Sequence, residues 1–282
     1  MLGKFVQSLR RAPVLSLAII FVSVLAAAFA PHLAPHSPID PDLAHIRLPP
    51  FFADRGSYDY LLGTDWQGRD ILSRIIVGTR ASLGVAAMCI LIGGLIGCTL
   101  GLIAGYLGGW IDLLIMRTVD LFLAFPSVLL ALIFAVTLGP SFWVVVMILS
   151  FLIWPRYARV VRSEVLSWKT RDFIALARIA GAGPGRIILV HIVPNVLNSV
   201  VVLSTLQVGW AVMVEASLSF LGAGVPPPTP TWGGMIADGR NYVDTLWWIS
   251  VFPGIAVMLV VLSFNLFGDW LRDTLDPRLT QI

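Results

Sequence analysis

The chain has 282 residues, 57% of them hydrophobic and only 12% charged, with a mean hydropathy of +0.88. Soluble domains carry roughly 45–50% apolar and about 25% charged residues, so this composition excludes an ordinary soluble globular protein and implies a chain solvated by lipid. The net charge of +3 is collected near the ends of apolar runs, which argues for topology signals and against a nucleic-acid surface.

Residues 1–12 carry Lys4, Arg10 and Arg11 ahead of an apolar run over 14–30. A basic start and an Ala-rich end also fit a secretory signal. The run is long for a signal core, however, and passes into Pro31-His32 without a small-x-small site, so a retained first span over 13–34 is expected. Residues 31–61 hold Pro31, Pro35, Pro38, Pro41, Pro49 and Pro50 with Asp40, Asp42 and Asp54, the composition of an irregular loop outside the membrane. His32, His36 and His45 stand among those carboxylates, but their spacing matches no metal-ligand pattern and no metal site is expected. Over 69–80, Ile71, Leu72, Ile75 and Ile76 share one face, as in a helix lying along the interface. Loop and helix together make an extracytoplasmic segment over 35–80.

A five-helix core is expected over 81–271. Its first span, 81–106, places Gly93, Gly97, Gly101 and Gly105 at four-residue steps on one helix face, where missing side chains let another backbone approach. That backbone could belong to this chain or to a partner subunit across a seam. Cys89 and Cys98 lie nine residues apart in the same span on opposite faces, so they form no disulfide framework. The next span, 111–138, begins with Asp112, Arg117 and Asp120. Arg117 and Asp120 are three apart and can pair, lowering each other's cost in lipid. Pro126 is expected to kink this span. After Gly139-Pro140 comes a span over 142–161, interrupted by Pro155, with Arg156, Arg159 and Arg162 at its inner end.

Residues 168–195 form a basic, Gly-punctuated segment with Lys169, Arg171, Arg178 and Arg186, ill suited to lipid. Asp172 can cap a short helix over 173–180, and Gly181, Gly183 and Pro184 stop it. The following span, 196–221, holds one ionisable residue, Glu215, near its outer end, where desolvation would be partial. An unpaired carboxylate at mid-membrane costs about 3 kcal/mol, so either pairing with a neighbouring helix or a place on the substrate path would account for it. Pro226-Pro227-Pro228 and Trp232-Gly233-Gly234 make a stiff outer loop. Trp247 and Trp248 anchor a last span reaching residue 267, with Asn265 near its inner end. The tail, 272–282, carries Arg272, Asp273, Asp276 and Arg278. Six spans put both termini on one side. Twelve Lys and Arg residues fall on that side against six opposite, which places the termini and the segment 168–195 in the cytoplasm.

No G-x-x-x-x-G-K-[ST] loop occurs, and Gly181, Gly183 and Gly185 lack a preceding strand, so the chain is not expected to bind ATP itself. Neither G-x-S-x-G nor H-E-x-x-H is present. No catalytic, cofactor-binding or metal-ligating residue is expected.

The segment 168–195 resembles the coupling-loop signature of ABC importer permeases, written EAA, three residues, Gly, nine residues, I-x-L-P. Ala175, Leu176 and Ala177 stand at its first three positions, Gly181 at its Gly and Pro194 at its Pro, while His191 and Val193 replace Ile and Leu. The ending His191-Ile192-x-Pro194-Asn195 is similar to the peptide-transporting branch. The blocks at 62–83, 215–240 and 264–279 resemble the dipeptide/oligopeptide permeases of the DppC/OppC type. This resemblance implies an all-α membrane protein with six transmembrane helices, the MetI-like importer fold, and a coupling loop over 164–194. It implies a non-catalytic subunit in the cytoplasmic membrane, paired with a second, DppB/OppB-type permease. Cytoplasmic ATPase subunits would hold ATP and Mg, and an extracytoplasmic binding protein would deliver peptide. The same architecture imports nickel, glutathione and other small solutes. On this resemblance Asp172, Ala175, Leu176, Ala177, Gly181 and Pro194 belong to the ATPase-coupling site, with Arg178 at its rim.

Overall fold

A computed structural model describes residues 13–275 of the chain. The architecture is helical. Among the described residues the one β pairing is an isolated antiparallel bridge between Thr64 and Asp70. Five helices are long and apolar enough to cross a membrane: α1 (Val14–Leu33), α2 (Ile71–Leu107), α5 (Phe142–Lys169), a continuous run Pro184–Phe220 whose main part is α7 (Val193–Phe220), and α9 (Trp248–Leu275). A sixth crossing is split between α3 (Gly109–Ala124) and α4 (Ser127–Leu138). Two short helices lie off the spans, α6 (Asp172–Ile179) and α8 (Trp232–Gly239).

Helix α2 starts at Asp70, whose carboxylate accepts from the Ser73 N–H at 2.9 Å, and stops at Gly108, where φ of 69° suits a residue without Cβ. At about 1.5 Å per residue its 37 residues reach about 55 Å, well beyond a hydrocarbon core about 30 Å thick. This corrects the separate interfacial helix expected over 69–80: residues 71–80 form the first turns of α2, with Arg74 buried. The kink expected at Pro126 is a break. The chain turns through 89° between α3 and α4, because Phe125 is extended ahead of a proline that cannot continue the helix.

The packing centre is the pair α2–α5. The glycine stripe faces α5: a Cβ at Gly93 would fall 2.6 Å from the Ser150 carbonyl oxygen, one at Gly97 2.3 Å from that of Trp154, one at Gly101 2.6 Å from that of Ala158, and one at Gly105 2.7 Å from Val165 Cβ. The subunit-seam reading of Gly93, Gly97, Gly101 and Gly105 is therefore corrected. Their face is filled by a helix of the same chain and is closed to another subunit. Around this pair, α7 packs on α2 and α5, α9 packs on α7, and α1 lies against α2 and α9 with Phe21, Val22 and Leu25 exposed for lipid. A cluster including Val85, Val145, Leu149, Val212, Leu218 and Trp232 fills the middle.

Candidate functional site

The segment after α5 is built from local rules. Arg171, extended, is the cap of α6 and gives no side-chain cap bond, which corrects the cap expected at Asp172. Asp172 is the first helical residue, where a carboxylate complements the positive end of the helix dipole. Gly181 takes φ of 85° and closes the helix. Its N–H bonds the Arg178 carbonyl at 3.0 Å and the Ala182 N–H bonds the Ala177 carbonyl at 2.9 Å, the paired 5→2 and 6→1 bonds of a glycine stop. A π-helical turn, Ile187–Ile192, then leads into α7 through Pro194, and Asn195 Nδ2 bonds the His191 carbonyl at 2.7 Å beside that proline, which has no N–H.

One residue roots α6 in the spans. Ile174 is fully buried in a cluster with Val161, Val165, Ile187, Ile192 and Val196. The opposite face is apolar and open: Leu176 is 65% and Ile179 84% exposed. Ala175, Arg178, Gly181 and Pro194 are also exposed, Ala177 is half-buried, and nothing lies within 4 Å of a Cβ placed at Gly181. The structure thus gathers the sequence-predicted coupling residues on and around one short helix, with an apolar face rimmed by cations.

That helix is tied to the spans by groups whose partners sequence spacing does not reveal. Lys169 Nζ donates to the Tyr106 carbonyl at 2.6 Å, joining the end of α5 to the end of α2. Arg162 holds Asp112 with two bonds, at 2.5 and 2.6 Å, and Arg159 holds Asp120 at 2.5 Å. The pairing expected between Arg117 and Asp120 is corrected: among the described residues Arg117 has no ion pair, because α5 presents its arginines to both aspartates of α3. Glu164 accepts from Ser199 Oγ at 2.8 Å and from Trp168 Nε1 at 3.2 Å, linking α5 to α7. Glu164, Ser199, Arg171, Phe173, Leu206 and Arg272 border a cavity of about 1450 Å³ that opens beside α6. Glu164 and Ser199 were not singled out from sequence. Each is one of several polar residues on a long helix, and only their opposition across two helices marks them.

At the far end of the spans, Glu215 is fully buried, not partly desolvated as expected. It accepts from Ser219 Oγ at 2.8 Å and Ser82 Oγ at 3.2 Å, while the Trp232 N–H bonds the same Ser82 oxygen at 3.3 Å. Glu215 therefore joins α7, α2 and α8 through hydroxyl groups, and no cation pairs with it among the described residues. Asp65, with no exposed side-chain surface, takes Arg69 at 2.7 Å, the Gln67 and Arg69 N–H groups at 2.8 and 3.0 Å, and Arg74. Asp238 of α8 completes this bridge with Arg74 at 3.1 Å and Arg69 at 3.4 Å. In the loop before α2, His45 Nδ1 and the Tyr60 hydroxyl, at 2.7 and 2.8 Å, hold Asp42 down to about 2, and burial beside Asp42 pushes the Tyr60 phenol up to about 12. His36 stacks on Tyr60 at 4.6 Å between ring centroids.

Comparison with known proteins agrees with this architecture. The family described as binding-protein-dependent transport system inner membrane component matches residues 97–281, and the N-terminal transmembrane domain of oligopeptide transport permease C matches residues 9–50. The chain is 41% identical over 256 residues to the di/tripeptide transport system permease protein DppC of Pseudomonas aeruginosa, covering 91% of this chain and 84% of that one. It is 42% identical over 268 residues to the dipeptide transport system permease protein DppC of Escherichia coli K12, covering 95% and 89%. It is 38% identical over 278 residues to the probable D,D-dipeptide transport system permease protein DdpC of the same strain, covering 98% and 91%. Among solved structures, inward-facing MetNI methionine ABC transporter superposes with a TM-score of 0.60 at 20% identity, over 73% of this chain and 98% of that one, a likeness of fold. Spans, coupling segment and matches along almost the whole chain lead to one assignment: the protein belongs to the family of binding-protein-dependent transport system inner membrane components, the permeases of ABC importers.

Proposed function

We propose that this chain is one of two membrane subunits of an ATP-driven importer that moves di- and oligopeptides into the cytoplasm, with α6 as the lever through which cytoplasmic ATPase subunits act. The carrying observation is the two-sided character of α6. Ile174 is packed into the ends of three spans, while Leu176 and Ile179 stand exposed on the other side among Arg171, Arg178 and Arg186. An exposed apolar face ringed by charge is the mark of a protein contact. In this reading ATP and Mg reside in the partner ATPases, and this chain contributes no catalytic group.

A motor whose closed form is favoured by tighter ATP binding can shift a two-state permease only through a rigid contact that differs between the states. Arg162 with Asp112, and Lys169 with the Tyr106 carbonyl, stiffen the passage from α6 into α5, α3 and α2. Both termini and α6 lie in the cytoplasm in this reading, which the twelve-to-six division of Lys and Arg supports. The peptide cargo is supported by the relatives named above, which are peptide permeases, and an extracytoplasmic binding protein would hand the cargo to the surface around α8, which carries Trp232 and Asp238.

Leu176→Asp tests the reading. Leu176 is largely exposed, so the substitution leaves this chain's own packing intact, while a charge placed in an apolar contact with the ATPase weakens it. ATP-driven peptide uptake and co-purification of the ATPase should both fall, with the permease still inserted. Full uptake with normal co-purification would refute it.

A further inference from the structure

Arg156 lies about 21 Å along α5 from Phe142 and about 20 Å from Lys169, at the middle of a span. Sequence places it at an inner end, but it meets α7 at Gln207 and Trp210, midway along that helix, while α5 runs on to Lys169. Its guanidinium stacks on the Trp210 ring at 4.4 Å from the centroid and donates to Gln207 Oε1 at 3.1 Å, both on α7. Among the described residues it makes no ion pair, unlike Arg159 and Arg162 one and two turns further on. A cation at this depth of a helix bundle marks a site for an anion or a water-filled passage.

Its neighbours show what it faces. Val160 and Glu164 follow Arg156 at four-residue steps on the same face of α5, and Ser199, Leu203 and Leu206 lead up α7 towards Gln207 and Trp210. Those five intervening residues border the 1450 Å³ cavity that opens beside α6. Arg156 and Trp210 therefore stand about one helical turn, and Gln207 one residue, from residues that border the cavity, on the same two helices. Only one of five guanidinium N–H donors is engaged by Gln207, and the planar fork of the rest matches a carboxylate in two-point geometry.

We propose that Arg156, backed by Trp210 and Gln207, is a carboxylate-binding point on the permeation path, taking the C-terminal carboxylate of the peptide in transit. The proposal rests on the peptide-import reading above. Every linear free peptide carries that carboxylate whatever its side chains, so a single cation would serve a mixed cargo without selecting among side chains. The indole holds the guanidinium in place and costs the passing peptide no competing hydrogen bond.

The test uses the assembled transporter with its binding protein, reconstituted in vesicles, and compares uptake of a dipeptide with that of its C-terminal amide. The binding protein's own preference is common to all permease variants, so it cancels when acid-to-amide ratios are compared between them. Arg156→Met should lower the ratio about tenfold relative to wild type, while binding-protein-stimulated ATP hydrolysis persists; Arg156→Lys should lower it less. A ratio unchanged in Arg156→Met overturns the proposal. Loss of the second permease subunit from the Arg156→Met complex, with Arg156→Lys assembling, also overturns it, since the counter-ion would then be a carboxylate of that subunit. Should neither variant assemble, Gln207→Met carries the comparison: a lowered ratio supports the site and an unchanged one refutes it. Wild-type vesicles that take up no peptide at all would defeat the import reading itself, a failure visible before any variant is made.

Discussion

A Cβ on Gly97 of α2 would lie 2.3 Å from the backbone carbonyl oxygen of Trp154 on α5. The obstructing atom is main chain, with Tyr157 Cβ and Ala158 N close behind at 2.6 and 3.1 Å, so the helices must separate to admit a methyl group. Lipid supplies no hydrophobic drive between helices, and their association depends on this closeness. Gly97→Ala is expected to destabilise the subunit by about 1–3 kcal/mol, and Gly97→Leu to prevent accumulation of folded protein. Gly84→Ala, where the nearest atom is Phe142 Cζ at 3.9 Å, should be neutral or mildly stabilising. Thermal unfolding in detergent measures both.

Glu215 gives a second contrast. Its carboxyl group is enclosed and held by Ser82 and Ser219 hydroxyls. Glu215→Gln keeps size and an accepting oxygen and should change stability by less than about 1 kcal/mol, whereas Glu215→Leu leaves two enclosed hydroxyls without their acceptor and should cost about 1–3 kcal/mol. The same unfolding assay, read with proteolysis of the loop before α8, checks it. Equal effects for the two variants would show that hydrogen bonding at Glu215 does not hold α8.

Much of the architecture was legible because hydropathy over some twenty residues is a strong, local signal, and the stop at Gly181 was legible because a glycine ahead of Ala182-Gly183-Pro184 has few other conformations to serve. Lateral partners were not. Asp112 meets Arg162 across 50 residues and Asp120 meets Arg159 across 39, while the local spacing pointed to Arg117. Nothing in a single helix's periodicity tells which neighbour its polar face will meet. The burial of Glu215 was misjudged for the same reason: depth along α7 suggested exposure, but α8 folds back over it. Arg156 was placed at an end because basic residues at 159 and 162 close the apolar run, whereas the helix itself continues to Lys169.

The two pairs linking α5 to α3 should differ in strength. Arg162 and Asp112 are partly buried and meet through two bonds; Arg159 and Asp120 are both more than half exposed and meet through one. Double-mutant cycles with Arg162→Gln and Asp112→Asn should give a coupling of about 1–3 kcal/mol, and the corresponding cycle at Arg159 and Asp120 about 0–1 kcal/mol.

Acid should loosen the loop ahead of α2. Asp42 titrates at about 2 in the folded chain against an ordinary 3.8, so the fold favours its ionised form. A depressed carboxyl stabilises the fold at pH above its unfolded value and loses that contribution as pH falls through the folded one. The exchange protection of the Ala44 amide, whose N–H bonds the Asp42 carboxylate, should therefore fall between about pH 4 and pH 2, once intrinsic exchange rates are divided out. Asp42→Asn should remove that acid-dependent change.

The central claim is that α6 seats in a nucleotide-hydrolysing partner. A single cysteine at Ile179, placed in the assembled transporter after replacing Cys89 and Cys98, measures it through a short thiol-specific photo-cross-linker. The account predicts a cross-link from position 179 to the ATPase subunit, with a yield that changes when ATP binds. A residue 179 that stays freely reactive towards soluble maleimide and gives no ATPase adduct in active transporter would contradict it.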